Sequence, residues 1–125
     1  MTFPQTQRVV VLGASANPAR MSYQAVRELR DAGHEVLPVH PAISSLHGAD
    51  VLTSLMEVRG EVDTLTVYVN QERSSAMEDL ILEMQIKRVI FNPGAENPDL
   101  MKKLEAADIE CLEACTLVML RTGEF

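Results

Sequence analysis

The chain has 125 residues, of which 46% are hydrophobic and 23% charged; those values describe one globular domain that can bury a core, and exclude a disordered chain or a pair of domains. Its 11 basic and 18 acidic side chains give a net charge of −7, and only 4% of the residues are aromatic, which argues against nucleic acid, a base-stacking platform or an anionic membrane as partners. An anionic small ligand would need a site built for it locally.

The first element in chain order is a strand, Val9–Leu12, a continuous apolar run ended by Gly13. With Arg8 before it, this run imitates a signal peptide, but four apolar residues fall short of the required ~7–15, and no stretch approaches the ~18 of a membrane span. Asn17 and Pro18 open either the first helix or a lead-in turn. The helix over Gln24–Ala32 places Val26, Leu29 and Ala32 on one side, and Gly33 stands where a C-terminal glycine belongs. A second strand covers Val36–Val39. Pro38 is awkward inside it and predicts a bulge or bend.

A third strand, Leu65–Val69, alternates its apolar residues with Thr64, Thr66 and Tyr68, as a sheet edge would. The helix over Glu72–Gln85 carries Met77, Leu80, Ile81 and Met84 on one face. The fourth strand, Val89–Phe91, is again continuously apolar. Asn97 and Pro98 form a cap and first position for a helix over Asp99–Ala107, with Leu100, Met101, Leu104 and Ala107 inward. The fifth strand, Ile109–Leu112, is interrupted by Glu110 and also reads as an edge. A shorter helix over Ala114–Leu120 closes the chain.

Alternating strands and helices predict a single α/β domain over residues 1–125, a doubly wound parallel sheet of five strands with helices on both faces. The expected order is 3-2-1-4-5, with strands one and four central. Ligands in such sheets sit beyond the carboxyl ends of strands, where the order reverses. That expectation sets the loop Gly13, Ala14, Ser15, Ala16, Asn17, Pro18, Ala19, Arg20 against the loop Asn92, Pro93, Gly94.

The first loop suits a phosphate. Gly13 permits close backbone approach, Ser15 and Asn17 offer hydrogen bonds, Arg20 offers a guanidinium, and a helix N-terminus follows. It lacks the nicotinamide fingerprint, which would need glycine at Ser15 and Pro18. The second strand ends in Val39, His40 and Pro41, with no carboxylate to grip a ribose 2′-hydroxyl. No phosphate-binding G-x-x-x-x-G-K-[ST] loop is present either.

The run Gly13-Ala14-Ser15-x-x-Pro18-x-Arg20 resembles the opening motif of the stand-alone CoA-binding proteins. Their domain is similar to the CoA-binding domain of the succinyl-CoA synthetase α-subunit. The resemblance continues through Gly33-His34-Glu35-Val36, Pro38-Val39-His40-Pro41, Ile43, Gly48, Val62-Asp63, Asn92-Pro93-Gly94 and Cys115, and so covers essentially the whole chain. It implies a Rossmann-like fold with CoA or an acyl-CoA held across the loop after the first strand. The residues it implicates are Gly13, Ala14, Ser15, Asn17, Pro18 and Arg20 at the phosphates. His40 and Pro41 would border the nucleoside, and Asn92, Pro93, Gly94, Cys115 and Thr116 the opposite wall. Two positions depart from the pattern: His40 stands where the family usually has asparagine, and the segment Val69-Asn70-Gln71 lacks the arginines often found there. A CoA 3′-phosphate would then need Arg20, Arg73 or a protonated His40.

No catalytic set emerges. His34 and His47 read as surface residues, and Glu96, Glu110 and Glu113 as solvated carboxylates. Cys111 and Cys115 are too few for a disulfide framework or a four-ligand zinc site. They read as small buried hydrophobes, and Cys115 as a thiol able to form a mixed disulfide with CoA. The expected function is binding of CoA without catalysis in a reducing cytoplasm. The alternatives are an NAD(P)-sensing module, or a CoA-binding subunit of a ligase or acyltransferase working with a partner. Self-association would use an edge strand or helix face.

Overall fold

The computed structural model describes residues 5–125. In chain order its elements are β1 (Arg8–Leu12), α1 (Met21–Asp31), β2 (Glu35–Val39), β3 (Ser45–Leu46) and β4 (Ala49–Asp50). A 3-10 turn (Leu55–Glu57) leads into β5 (Val62–Val67), α2 (Gln71–Ala76), α3 (Glu78–Glu83), β6 (Ile86–Phe91), α4 (Pro98–Ala106), β7 (Glu110–Glu113) and α5 (Thr116–Thr122). The five long strands form one parallel sheet in the order β2-β1-β5-β6-β7. This is the expected Rossmann-like α/β fold. Successive β1 residues feed opposite layers: Val9 and Val11 pack with α1 and α5, Val10 and Leu12 with α3 and α4.

The expected strand order of 3-2-1-4-5 is corrected. The third long strand, β5, lies beside β1 on the side away from β2, so the long strands run 2-1-3-4-5. Its alternating threonines do not meet water. Thr64 and Thr66 are 0% exposed. Thr64 Oγ1 donates to Gln7 Oε1 and accepts from Arg88 Nε, while Thr66 Oγ1 accepts from Asn92 Nδ2 and shares a hydrogen bond with Thr116 Oγ1. A β-branched hydroxyl with internal partners is compatible with a central strand, so alternation with threonine does not mark an edge.

The outer flank of β2 is taken by a single bridge between Val39 and Leu52. His40 N donates to Leu52 O, and Leu52 N to Pro38 O. The carbonyl of Pro38 therefore points away from β1, and so does its ring nitrogen. The missing N–H costs no bond with β1, and the strand pairs in continuous register past Pro38 without the predicted bulge.

Element ends follow the local signals. Gly33 N donates to Arg30 O and His34 N to Leu29 O, closing α1 by a Schellman motif with Gly33 at φ +91°. Asn97 Oδ1 accepts from Leu100 N at the start of α4. The single helix expected over Glu72–Gln85 is two, because Met77 N bonds Ser74 O, three residues back, and tightens the turn. Asn97 Nδ2 ties that turn down through the hydroxyls of Ser74 and Ser75. Met77, Leu80 and Met84 still pack on one core face across the break.

Candidate functional site

The corrected order moves the crevice. β1 is flanked by β2 and β5; the chain leaves β1 into α1 on one face and leaves β5 into α2 and α3 on the other. The reversal therefore lies between β1 and β5, and the facing loops are those after β1, β2 and β5. Gly13 makes their contact possible. Its φ is +88°, and a Cβ there would stand 2.9 Å from Val69 Cγ1 and 3.3 Å from the backbone of Tyr68 and Val69. The N–H groups of Gly13 and Ala14 both donate to Val39 O, fastening the β1 loop to the end of β2.

Two clefts meet over Gly13. The first, of about 510 Å³, is polar and runs along the β1 loop from Gly13 to Arg20, with Tyr68, Asn70 and Arg73 opposite. The second, of about 380 Å³, is floored by Leu12, Val39, Leu55, Val69, Met77 and Leu80 and rimmed by His40, Pro41, Thr53, Ser54 and Arg73. Gly13, His40, Val69 and Arg73 line both. No acidic residue lines either cleft, although the chain carries seven net negative charges.

Within the polar cleft the loop holds its own shape. Ser15 Oγ accepts from Asn17 N, and Asn17 Oδ1 accepts from Ala19 N, each at 3.0 Å. The Ser15 hydroxyl proton and the Asn17 amide protons have no partner among the described residues and can donate outward. Asn17 and Pro18 form a lead-in turn rather than the first helical turn; α1 begins at Met21, with Arg20 as its N-cap. Arg20 and Arg73 are exposed, and neither guanidinium has an ion pair or hydrogen bond among the described residues. His40 Nδ1 accepts from Ala42 N at 2.9 Å. That bond occupies Nδ1 as an acceptor, and Nε2 is the ring nitrogen with no partner among the described residues.

Of the residues expected at the site, Gly13, Ala14, Ser15, Asn17, Arg20, His40 and Pro41 line the clefts. Pro18 is exposed beside them in the turn. Asn92, Pro93, Gly94, Cys115 and Thr116 line neither, because β5 stands between β1 and β6. Asn92, 1% exposed, is consumed internally: Nδ2 donates to Thr66 Oγ1 and Val67 O, and Oδ1 accepts from Thr116 N. Asn92 and Thr116 brace the end of β5 through these bonds, whereas Pro93 and Gly94 are exposed away from both clefts. The sequence reading missed Tyr68, Val69 and Asn70, which a correct strand order would have placed, and Leu55, Met77 and Leu80, which look like ordinary core.

Tyr68 joins the cleft to this buried network. Burial pushes its hydroxyl up to about 12, opposed by the nearby Thr116 and Thr66 hydroxyls, and the buried oxygen has no hydrogen-bond partner among the described residues. Burial, then Glu105 and Glu110, push the Cys111 thiol up to about 12 as well, so it is a packing residue. Cys115 is half-buried at the N-cap of α5. No helix among the described residues is long and apolar enough to cross a membrane, and no three of their His, Cys, Asp and Glu side chains gather as a metal site.

Comparison with known proteins agrees with this architecture. The model of a family described as a CoA binding domain matches residues 7–121. The uncharacterized protein YneT of Bacillus subtilis (strain 168) is 32% identical over 101 residues, 81% of this chain and 75% of that one. A solved structure of an uncharacterized protein superposes with a TM-score of 0.90 at 37% identity, over 96% of this chain and 98% of that chain. Cell-free ID.343 from Thermus thermophilus does so at 0.87 and 28% identity, over 97% and 92%. A chain of the dinucleotide-forming acetyl-coenzyme A synthetase 1 of Ca. Korarchaeum cryptofilum, in complex with phosphate and ADP, shares the fold at 0.73 and 19% identity, over 88% of this chain and 26% of that chain.

Proposed function

The chain belongs to the family of CoA-binding domains, and we propose that it binds CoA or an acyl-CoA in the crevice where the loops after β1, β2 and β5 meet. The observation that carries this reading is the charge of the crevice. In a chain of net charge −7, both clefts are free of carboxylates, and the polar one holds two arginines. Such a local inversion favours an anion.

The shapes divide a CoA molecule sensibly. The polar cleft receives the 5′-diphosphate through the Ser15 and Asn17 side-chain donors, Arg20 and the free N–H groups opening α1, with Gly13 allowing the close approach. The apolar pocket receives the adenine, edged by His40 and Pro41. Asn92 and Thr116 act through their bonds to Thr66 and Val67 of β5. NAD fits less well, since no acidic residue lines the pocket to take its ribose hydroxyls. Binding needs no bond made or broken.

A parallel calorimetric titration with CoA, acetyl-CoA, NAD and NADP tests the reading. Micromolar binding of CoA and acetyl-CoA, with NAD and NADP at least tenfold weaker, is the expected outcome. Tight NAD or NADP binding with no CoA signal would sink it.

A further inference from the structure

We propose that Arg73 reads the 3′-phosphate of CoA and sets the preference of the site for CoA over nucleotides that lack that group; this rests on the CoA reading above. The argument starts from connectivity. In CoA the ribose lies between the base and the 5′-diphosphate, and the 3′-phosphate hangs from the ribose. With the base in the apolar pocket and the diphosphate in the polar cleft, the ribose falls where the two clefts join. The residues common to both are Gly13, His40, Val69 and Arg73. Arg73 is the only charged residue among them.

The other two candidate cations are displaced by geometry. Arg20 lines the polar cleft alone, on the diphosphate side. His40 Nδ1 is engaged as an acceptor for Ala42 N, which leaves one ring nitrogen for a ligand where Arg73 offers a fork of five donors. Arg73 is held where it is needed: its backbone N–H donates to Asn70 Oδ1 at 2.9 Å, which fixes the root of the side chain at the start of α2. Its guanidinium has no competing carboxylate in either cleft. A planar fork with five donors suits a terminal phosphate better than a ribose hydroxyl.

CoA and 3′-dephospho-CoA differ by this phosphate alone, so they are the probes. Calorimetry on the wild-type chain should show CoA binding on the order of tenfold tighter than dephospho-CoA, the usual size of a charge-assisted contact. In Arg73→Gln the ratio should collapse to about one, mainly through weaker CoA binding. Arg20→Gln should weaken both ligands and leave the ratio intact. Equal wild-type affinity for the two ligands, or an unchanged ratio in Arg73→Gln, overturns the assignment while the CoA reading stands. Absence of binding by either ligand overturns the CoA reading and the assignment together.

Discussion

Gly13 is the residue on which crevice and fold depend at once. Its positive φ and the 2.9 Å approach of a would-be Cβ to Val69 Cγ1 leave no room for a side chain. Gly13→Ala should cost about 1–3 kcal/mol in urea unfolding, and push the β1 and β5 loops apart. A variant as stable as wild type would show that the loops do not touch. Asn92 is the counterpart in the interior. Asn92→Ala strips Thr116 N of its acceptor and Thr66 and Val67 of a donor, all in a buried setting. The expected loss is at least about 2 kcal/mol by the same measurement, and a loss near zero would mean that the network is not as drawn. Asn92-Pro93-Gly94 was visible in the sequence as a motif, but not its use. The same amide could serve a ligand or a neighbouring strand, and only the partners decide.

Among the elements, β1, β2, β6 and the helices α1, α4 and α5 were readable because period, glycine and cap signals agree there. The long helix that proved to be α2 and α3 kept its apolar face, so periodicity could not reveal the break at Met77. The join of α1 to β2 carries a pH signal. His34 Nδ1 accepts the N–H of Gln7 at 2.9 Å, and burial, then the Arg88 guanidinium, hold the ring below its ordinary range. In the unfolded chain His34 takes up a proton near pH 6.5, whereas the folded ring resists it to lower pH. The unfolded state thus binds more protons in that window, so stability is full above about pH 6.5 and falls as the pH drops through the folded value. The urea midpoint of the wild type should fall between about pH 7.5 and about pH 5.5. His34→Gln should show a smaller fall, and an identical pH dependence in the two proteins would exclude this residue as the source.

For the molecule as a whole, ligand and fold are linked. A ligand present at 100 times its Kd stabilises by about 2.7 kcal/mol, roughly 10 °C in Tm for a chain of this size. CoA should produce such a shift and NAD at the same concentration a smaller one. Arg20 and Arg73 are exposed, so the CoA shift should shrink as salt is raised toward about 1 M, where screening shortens to about 3 Å. A shift insensitive to salt would place the energy in the apolar pocket instead.

The sequence by itself determined the α/β class, five of the strands, the phosphate-suited loop and the family resemblance, since these rest on local periodicity and on motifs a few residues long. Which strand lies beside β1 is not local. Thr64 and Thr66 look like an edge until Gln7, Arg88, Asn92 and Thr116, distant in the chain, arrive to satisfy their hydroxyls. The bridge at Leu52 is too short to leave a periodic trace, yet it takes the flank of β2 that the expected order had assigned to β5. Only the tertiary structure could set the β5 loop across from Gly13, remove Asn92 and Thr116 from the cleft wall, and bring Arg73 to the junction of the two clefts, because pairing and burial are decided by partners far apart in sequence.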